Sequence, residues 1–167
     1  MWRVGECGKI YHIVVDKTER MVKSMFMGEY NHTIDTKGRL IIPAKIREQL
    51  GDMCIVTRGF DNCLSVYTQE AWKKISHALQ MQPNTKASVR ALKRMVFGSA
   101  AELEFDRQGR VLIPSPLREH ASLEKNTVVV GAGDHVEIWS RERYEAYDEE
   151  VAPSMEELAE SLEGIML

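Results

Sequence analysis

The sequence predicts an α+β fold that is mainly β and is built from two copies of one short unit. Three observations predict it: a repeat at an offset of 71 residues, strand-type alternation of apolar residues in both copies, and turn-forming residues between the alternating segments. The chain has 167 residues, 44% of them hydrophobic and 28% charged, which is ordinary for a globular protein. We therefore expect most of the chain to be folded.

The repeat is clearest in two segments of the same length. Residues 35–48 read DTKGRLIIPAKIRE, and residues 106–119 read DRQGRVLIPSPLRE. The identical pairs are Asp35/Asp106, Gly38/Gly109, Arg39/Arg110, Ile42/Ile113, Pro43/Pro114, Arg47/Arg118 and Glu48/Glu119. Seven identities at a fixed spacing indicate a duplicated unit.

Each copy begins with a strand, a turn and a second strand. Residues 29–34 and 101–105 alternate polar and apolar side chains, which predicts strands. The DxxGR sequence that follows is typical of a turn, because Asp accepts hydrogen bonds from nearby backbone N–H groups and Gly readily adopts a positive φ. The second strand is predicted at 39–42 in the first copy and at 110–113 in the other.

A short helix and a hairpin complete each copy. Pro43 and Pro114 lack a backbone donor but suit the first turn of a helix, which predicts helices at 44–50 and 115–121. The hairpin strands are predicted at 53–58 and 64–67 in the first copy, and at 127–131 and 135–139 in the second.

Helices are also predicted between and after the copies. Thr68 begins one whose apolar face holds Ala71, Trp72, Ile75, Ala78 and Leu79. A second, over residues 86–97, has an inward apolar face of Val89, Leu92 and Val96. Its basic edge, interpreted as a solvated face, holds Lys86, Arg90, Lys93 and Arg94. Ser154 and Glu157 have the spacing of a capping box, which predicts a C-terminal helix.

These elements divide the chain into five segments. They are an extra N-terminal segment at 1–24, the first motif at 29–72 with its helix continuing to 81, a linker and helix at 82–99, the second motif at 100–143, and an acidic helical tail at 144–167. The first of them has no counterpart in the second copy, and Met21, Met25 and Met27 offer later starts. We therefore expect an extra segment or a misplaced start.

The net charge of −3 is unevenly distributed. The last 20 residues contain seven acids and no Lys or Arg, so residues 1–147 carry a net charge of +4, which is compatible with a nucleic-acid partner. No apolar run approaches the roughly 18–20 residues that span a bilayer, and the first 24 residues lack the apolar core of a signal peptide. We expect a cytoplasmic protein with no membrane partner.

No pattern of catalytic or cofactor-binding residues stands out. The three cysteines include no CxxC pair, and we interpret Cys54 and Cys63 as buried apolar residues. The five histidines lack the spacing of metal ligands, and the glycines of residues 131–134 are better explained by a hairpin turn than by a phosphate-binding loop. We expect no enzymatic activity, cofactor, metal or small-molecule substrate.

The order of strand, DxxxR turn, strand, proline-led helix and hairpin resembles the AbrB-like swapped-hairpin motif. Two such units, opened by MFMGEYNHTIDTKGRLIIPAKIRE, resemble the MraZ family over residues 25–167. The resemblance implies one pseudo-two-fold β-barrel per chain with flanking helices, and a ring-shaped homo-oligomer that binds double-stranded DNA. It also implies a nucleoid-associated, autoregulatory transcription factor that binds G-rich direct repeats at the promoter of the division and cell-wall gene cluster.

The two turns carry the candidate DNA-binding residues, which are Lys37, Arg39, Arg107 and Arg110. An arginine fork can engage guanine O6 and N7 together, a two-stranded ribbon fits the major groove, and a lysine suits a phosphate. The residues expected to orient the turns are Asp35, Gly38, Asp106 and Gly109. The alternative is that the Asp–Arg pairs only pin the turns. Both roles can hold together, since an aspartate that orients an arginine also prepares it to bind.

Other assignments stay open at this point. An AbrB-like antitoxin would also bind a toxin through its C-terminal segment, although the duplication argues against it. A ring-forming interaction protein would use the basic turns for RNA or protein, although these turns lack the aromatic residues on which single-stranded bases stack. Arg47 and Arg118, on the short helices, could contact phosphate or form salt bridges between subunits, and we favour a structural role.

Overall fold

The computed structural model describes residues 25–162. The expected extra segment at 1–24, with its hypothesis of a misplaced start, lies outside the described residues, as do the last five residues of the acidic tail.

The described chain contains eight strands and six α-helices. The strands are β1 (Glu29–Thr33), β2 (Arg39–Ile41), β3 (Met53–Arg58), β4 (Leu64–Thr68), β5 (Ala101–Glu104), β6 (Arg110–Leu112), β7 (Asn126–Gly131) and β8 (Val136–Ser140). The helices are α1 (Ala44–Leu50), α2 (Gln69–Gln80), α3 (Ala87–Ser99), α4 (Ser115–His120), α5 (Arg141–Val151) and α6 (Met155–Glu160), with a 3₁₀ turn at Ala152–Ser154. The α+β fold class and the duplication are confirmed, and the predicted strand ends lie within one residue of the observed ones.

The two copies exchange strands instead of folding side by side. Six antiparallel strands form one sheet in the order β1-β7-β8-β4-β3-β5, so the first strand of each copy pairs with the hairpin of the other copy. The remaining strands, β2 and β6, pair with each other in a two-stranded ribbon. Because β1 and β5 are the edges of the large sheet and lead directly into β2 and β6, the ribbon bridges the two edges in a barrel-like arrangement.

A pseudo-two-fold axis relates the copies. In the ribbon, Leu40 pairs with Val111, and these residues occupy equivalent positions of the repeat. In the large sheet, Ser65 on β4 pairs with Glu137 on β8, which are also equivalent. The axis therefore passes through both pairs, and any surface on one side of the ribbon has a counterpart on the other copy.

The core lies inside the sheet and is shared by both copies. Its fully buried side chains include Leu40, Ile46, Val56, Leu64, Val66, Val111, Ile113, Leu117, Val129 and Ile138. Cys54 and Cys63 are buried, as predicted, and burial raises the pKa of each thiol to about 12. Burying the apolar faces of both copies in one core stabilises a single unit, because neither copy covers its own sheet face alone.

The longer helices lie on the outside of this core. Thr68 caps α2 as predicted, its hydroxyl accepting the N–H of Ala71 at 3.1 Å. The inward position predicted for Leu92 is wrong, since 40% of this residue is exposed on α3. None of the helices within residues 25–162 is long and apolar enough to cross a membrane.

The capping box predicted for the tail is absent. The Ser154 hydroxyl donates to the Val151 carbonyl at 2.9 Å and makes no cap hydrogen bond to α6. The physical reason is that α5 continues through the 3₁₀ turn into α6, so Ser154 follows a helical residue and not an extended one.

Candidate nucleic-acid interface

The first turn is a tightly hydrogen-bonded reversal between β1 and β2. The Asp35 N–H donates to the Arg39 carbonyl and the Gly38 N–H donates to the Asp35 carbonyl, both at 2.9 Å. One carboxylate oxygen of Asp35 accepts the backbone N–H groups of Lys37 and Arg39, also at 2.9 Å. Gly38 has a φ of 80°, the left-handed conformation that glycine adopts at least cost. The aspartate thus fixes the backbone of the turn.

The same aspartate orients the arginine side chain. Its other oxygen, Oδ2, accepts Nε and Nη2 of Arg39, each at 2.7 Å. The Arg39 side chain keeps 33% of its surface exposed, and Nη1 donates to no group within residues 25–162. A guanidinium has five N–H donors in one plane, so this pairing leaves the outer donors for another acceptor. The aspartate pins the turn and also presents an oriented guanidinium.

The second turn reproduces this geometry. Asp106 accepts the backbone N–H groups of Gln108 at 2.9 Å and Arg110 at 3.0 Å, and its Oδ2 accepts Nε and Nη2 of Arg110 at 2.7 Å. Gly109 has a φ of 75°. The four residues expected to orient the turns therefore all lie within the turns, and each Asp–Arg pair forms.

These hydrogen bonds favour the ionised carboxylates. The backbone and side-chain donors of Arg110 lower the pKa of Asp106 from 3.8 to about 2. The equivalent donors of Arg39 lower the pKa of Asp35. Each aspartate therefore stays charged and paired with its arginine at any pH above about 4.

The remaining predicted cations project from the turns. Lys37 and Arg107 are both exposed, at the third position of the first turn and the second position of the other. Because the ribbon is antiparallel, the turns leave it at opposite ends. Gly38 accepts the Ile113 N–H and Gly109 accepts the Ile42 N–H, so the two glycines are separated by roughly 14 Å of ribbon. The structure thus brings all four predicted DNA-binding side chains to one short two-stranded element.

Each turn is also contacted by the helix of the other copy. A Cβ atom added to Gly38 would lie 2.8 Å from Nε of Arg118, and one added to Gly109 would overlap Nη1 of Arg47. Arg118 Nε donates to the Ile113 carbonyl at 3.1 Å, whereas the Arg47 side chain makes no hydrogen bond within the described residues. Each arginine therefore lies against the turn of the other copy, a contact that the sequence did not indicate, and the structural role favoured for both stays a prediction.

The ribbon has a second set of exposed residues, which were not among the binding residues predicted from the sequence. Ile41 and Leu112 are 45% and 59% exposed. The signal was present in the segments RLI and RVL, because period-two alternation puts their first and third residues on one face. That face opposes the buried Leu40 and Val111, so it points away from the core.

The basic edge of α3 is partly committed to the fold. Lys93 donates to the carbonyls of Gln80 and Gln82 and to the side chain of Asn84, and Arg90 donates to the carbonyls of Asn84 and Thr85. These two cations hold the linker between α2 and α3. The edge is therefore a weaker candidate for binding than the turns.

Comparisons with known proteins agree with the duplication. A family model described as "MraZ protein, putative antitoxin-like" matches the chain twice, at residues 25–95 and 96–163. The chain is 55% identical over 138 residues to the "Transcriptional regulator MraZ" of Heliobacterium modesticaldum, covering 83% of this chain and 96% of that protein. It is 51% identical over 142 residues to the protein of that name in Desulforamulus reducens, covering 85% and 100%.

A third relative of the same name, from Ligilactobacillus salivarius, is 53% identical over 138 residues, covering 83% of this chain and 96% of that protein. The expectation of a regulator without enzymatic activity agrees with these names. Both copies match the family model, and each relative is matched over nearly its whole length. The chain therefore belongs to the MraZ family, whose members in these three bacteria are named transcriptional regulators.

Proposed function

We propose that this regulator binds double-stranded DNA directly and in a sequence-specific manner through the ribbon formed by β2 and β6. The observation that carries the proposal is the pair of oriented guanidiniums, Arg39 and Arg110, that the two turns hold at the ends of one ribbon. A two-stranded ribbon fits the major groove, and arginine donors match guanine O6 and N7. Because the side chain is already oriented before binding, less conformational entropy is lost when it binds DNA.

We propose different roles for the exposed cations of the two turns. We assign Lys37 and Arg107 to backbone phosphates, because they are exposed and no carboxylate pairs with them within residues 25–162. Phosphate contacts supply affinity that falls with salt, whereas base contacts supply sequence preference. We propose G-rich direct repeats at the promoter of the division and cell-wall gene cluster as the target, which makes the regulator autoregulatory and places it in the cytoplasm at the nucleoid.

We further propose that the chain works as a ring-shaped homo-oligomer. Two exposed apolar surfaces support association. Phe60, at the tip of the β3–β4 hairpin, is 82% exposed beside a groove of about 440 Å³ lined by Trp72, Leu92 and Met95. The tail helix α6 exposes Met155 and Leu158, and Leu162, two residues after its end, is also exposed. Contiguous apolar surface of this kind marks sites of protein contact, and repeated subunits would align several ribbons along one duplex.

Fluorescence anisotropy tests the DNA-binding proposal. The probes are a duplex from just upstream of the chain's own gene and a scrambled duplex of equal composition. We expect the protein to prefer the native duplex and to bind it less tightly as salt rises. Arg39→Ala and Arg110→Ala should each lose about tenfold or more in affinity for it, because each removes a bidentate base contact.

Arg143→Ala is the matched control, since it removes an exposed arginine on α5 that belongs neither to the ribbon nor to its two turns. It should bind like the unmodified protein. Equal, weak binding of every variant to both duplexes would contradict the proposal and leave the turns a structural role.

Light scattering tests the oligomer separately. The unmodified chain should elute as a single species several times its mass of 19.1 kDa, and the double variant Phe60→Ser/Met95→Ser should shift toward smaller species. A monomer at micromolar concentration would contradict the ring.

A further inference from the structure

The ribbon surface that faces away from the core carries a repeated pattern of charge and apolar side chains. In the ribbon register, Arg39 pairs with Leu112 and Ile41 pairs with Arg110. Directly paired residues of an antiparallel ribbon point to the same face, with Cβ atoms roughly 4.5–5.5 Å apart. The outer face therefore presents two arginines and two aliphatic side chains, each aliphatic directly beside an arginine.

This pattern is present once in each copy. Ile41 and Leu112 are equivalent positions of the repeat, and the pseudo-two-fold axis through Leu40 and Val111 relates them. Ile41 and Leu112 are 45% and 59% exposed, whereas Leu40 and Val111, which point to the inner face, are fully buried. Two exposed aliphatics so close to the proposed base-reading arginines indicate a partner that offers apolar atoms among polar ones.

We propose that Ile41 and Leu112 contact the C5-methyl groups of thymines in the major groove, beside the guanines bound by Arg39 and Arg110. This inference rests on the proposed function and names the second class of base that the ribbon reads. The thymine methyl is the apolar group that the base edges offer in the major groove, and contact with aliphatic atoms removes both from water. The flanking cations supply the attraction that brings a polyanion to this face.

The spacing of the ribbon fits this arrangement. Strand residues and stacked bases both advance by about 3.4 Å, so Arg39 and Ile41, two residues apart, are separated by the height of about two base-pair steps. The contacted thymine is therefore expected within about two base pairs of the contacted guanine.

Removing the methyl groups from the DNA tests the inference without changing the protein. In the duplex from upstream of the chain's own gene, every thymine is replaced by deoxyuridine, which pairs identically but lacks the methyl group. Unmodified protein should bind the uracil duplex more weakly, by about fourfold for each contacted methyl group. The double variant Ile41→Ala/Leu112→Ala should bind both duplexes equally.

Met81→Ala is the matched control, because it removes an exposed apolar side chain at the end of α2, outside the ribbon and outside both apolar surfaces proposed for association. This variant should keep the full difference between thymine and uracil duplexes. Thermal melting and light scattering should show that the ribbon variant is folded and keeps its oligomeric state, since both altered side chains are exposed.

Three outcomes would overturn the inference in distinguishable ways. Equal affinity of the unmodified protein for the two duplexes, with preference over scrambled DNA retained, would reject the methyl contact and leave the proposed function standing. A ribbon variant that loses its oligomeric state but keeps the methyl dependence would assign the face to contact between chains. The absence of any preference over scrambled DNA would reject the proposed function as well.

Discussion

The two turns of this protein share a backbone but differ in the cations they display. In both, the aspartate accepts two backbone N–H groups and two arginine donors at nearly identical distances. The residues between aspartate and glycine differ, with Thr36 and Lys37 in the first turn and Arg107 and Gln108 in the second. Aspartate, glycine and arginine therefore form the frame, and the intervening side chains are free to vary because the frame uses only their backbone.

The arginines that contact the glycines of the two turns are also held differently. Arg118 is fixed over Gly38 by its hydrogen bond to the Ile113 carbonyl, whereas Arg47 lies over Gly109 without a hydrogen bond inside the described chain. Of the two arginines in the turns, Arg110 is less exposed than Arg39, at 23% against 33%. Sequence identity at these positions thus does not give identical environments, and substitutions in the ribbon and its turns should separate what the two turns share from what differs between them.

The largest effect should come from weakening the core packing of the ribbon that joins both turns. Leu40→Ala removes a fully buried side chain from the centre of the ribbon and should lower the free energy of unfolding by about 2–5 kcal/mol. Val111→Ala, its partner across the axis, should cost less because fewer carbon atoms are lost. Urea denaturation measures both losses. Ile41→Ala, one residue away and exposed, is the control, and an equal loss there would show that the ribbon is not anchored through its inner face.

The different contacts of Arg118 and Arg47 should give Gly38→Ala and Gly109→Ala different costs in the free energy of unfolding. Both residues have a positive φ, so an alanine is strained at either position. At Gly38 the new atom would also displace the anchored Arg118, whereas at Gly109 it meets the free end of Arg47. We expect Gly38→Ala to cost about 2–3 kcal/mol and Gly109→Ala about 1 kcal/mol in urea denaturation. The reverse order would show that Arg118 is not held as described.

The hydrogen bonds of the turn should produce a small pH dependence of stability. The pKa of Asp106 is lowered from 3.8 to about 2, so its stabilising contribution is complete above pH 3.8 and is lost as the pH falls through about 2. Asp35 should behave in the same direction. NMR titration of the carboxyl carbons measures both values, and denaturation of Asp106→Asn should show a flatter acid limb than the unmodified protein. A titration midpoint near 3.8 for Asp106 would contradict the hydrogen-bond pattern.

The smallest effect should come from exchanging the side chains at the third position of the two turns. Lys37→Gln and Gln108→Lys alter exposed positions outside the frame, so each should change the free energy of unfolding by less than about 0.5 kcal/mol. If Lys37 contacts one phosphate, its removal should reduce the slope of log affinity against log salt by about 0.9, and Gln108→Lys should increase it. Titrations at several salt concentrations measure the slopes. An unchanged slope in both variants would place these positions away from the duplex.

Most of the fold could be predicted because it depends on local patterns. The period-two alternation gave β1 and β5, the positive-φ glycines gave the turns, and Pro43 gave the start of α1 at the observed residue. Within each turn the aspartate and the arginine lie together for the same reason, since they are four residues apart in the sequence. Leu92 was misplaced because helical periodicity identifies a shared face but not whether a neighbour covers it, and Ser154 was misassigned because spacing does not show that a helix continues.

By itself the sequence determined the duplication, the order of elements and the chemistry of each turn, since identical residues at a fixed offset impose the same local hydrogen bonds twice. Only the tertiary structure decided which strands pair, because alternation specifies a strand but not its partner. The exchange of strands between copies brings β2 beside β6 and places Ile41 and Leu112 between two arginines. It also brings Arg47 and Arg118, on the short helices, against the turn of the other copy. Those contacts join residues roughly 60 to 80 positions apart, a separation at which no local preference of the backbone acts.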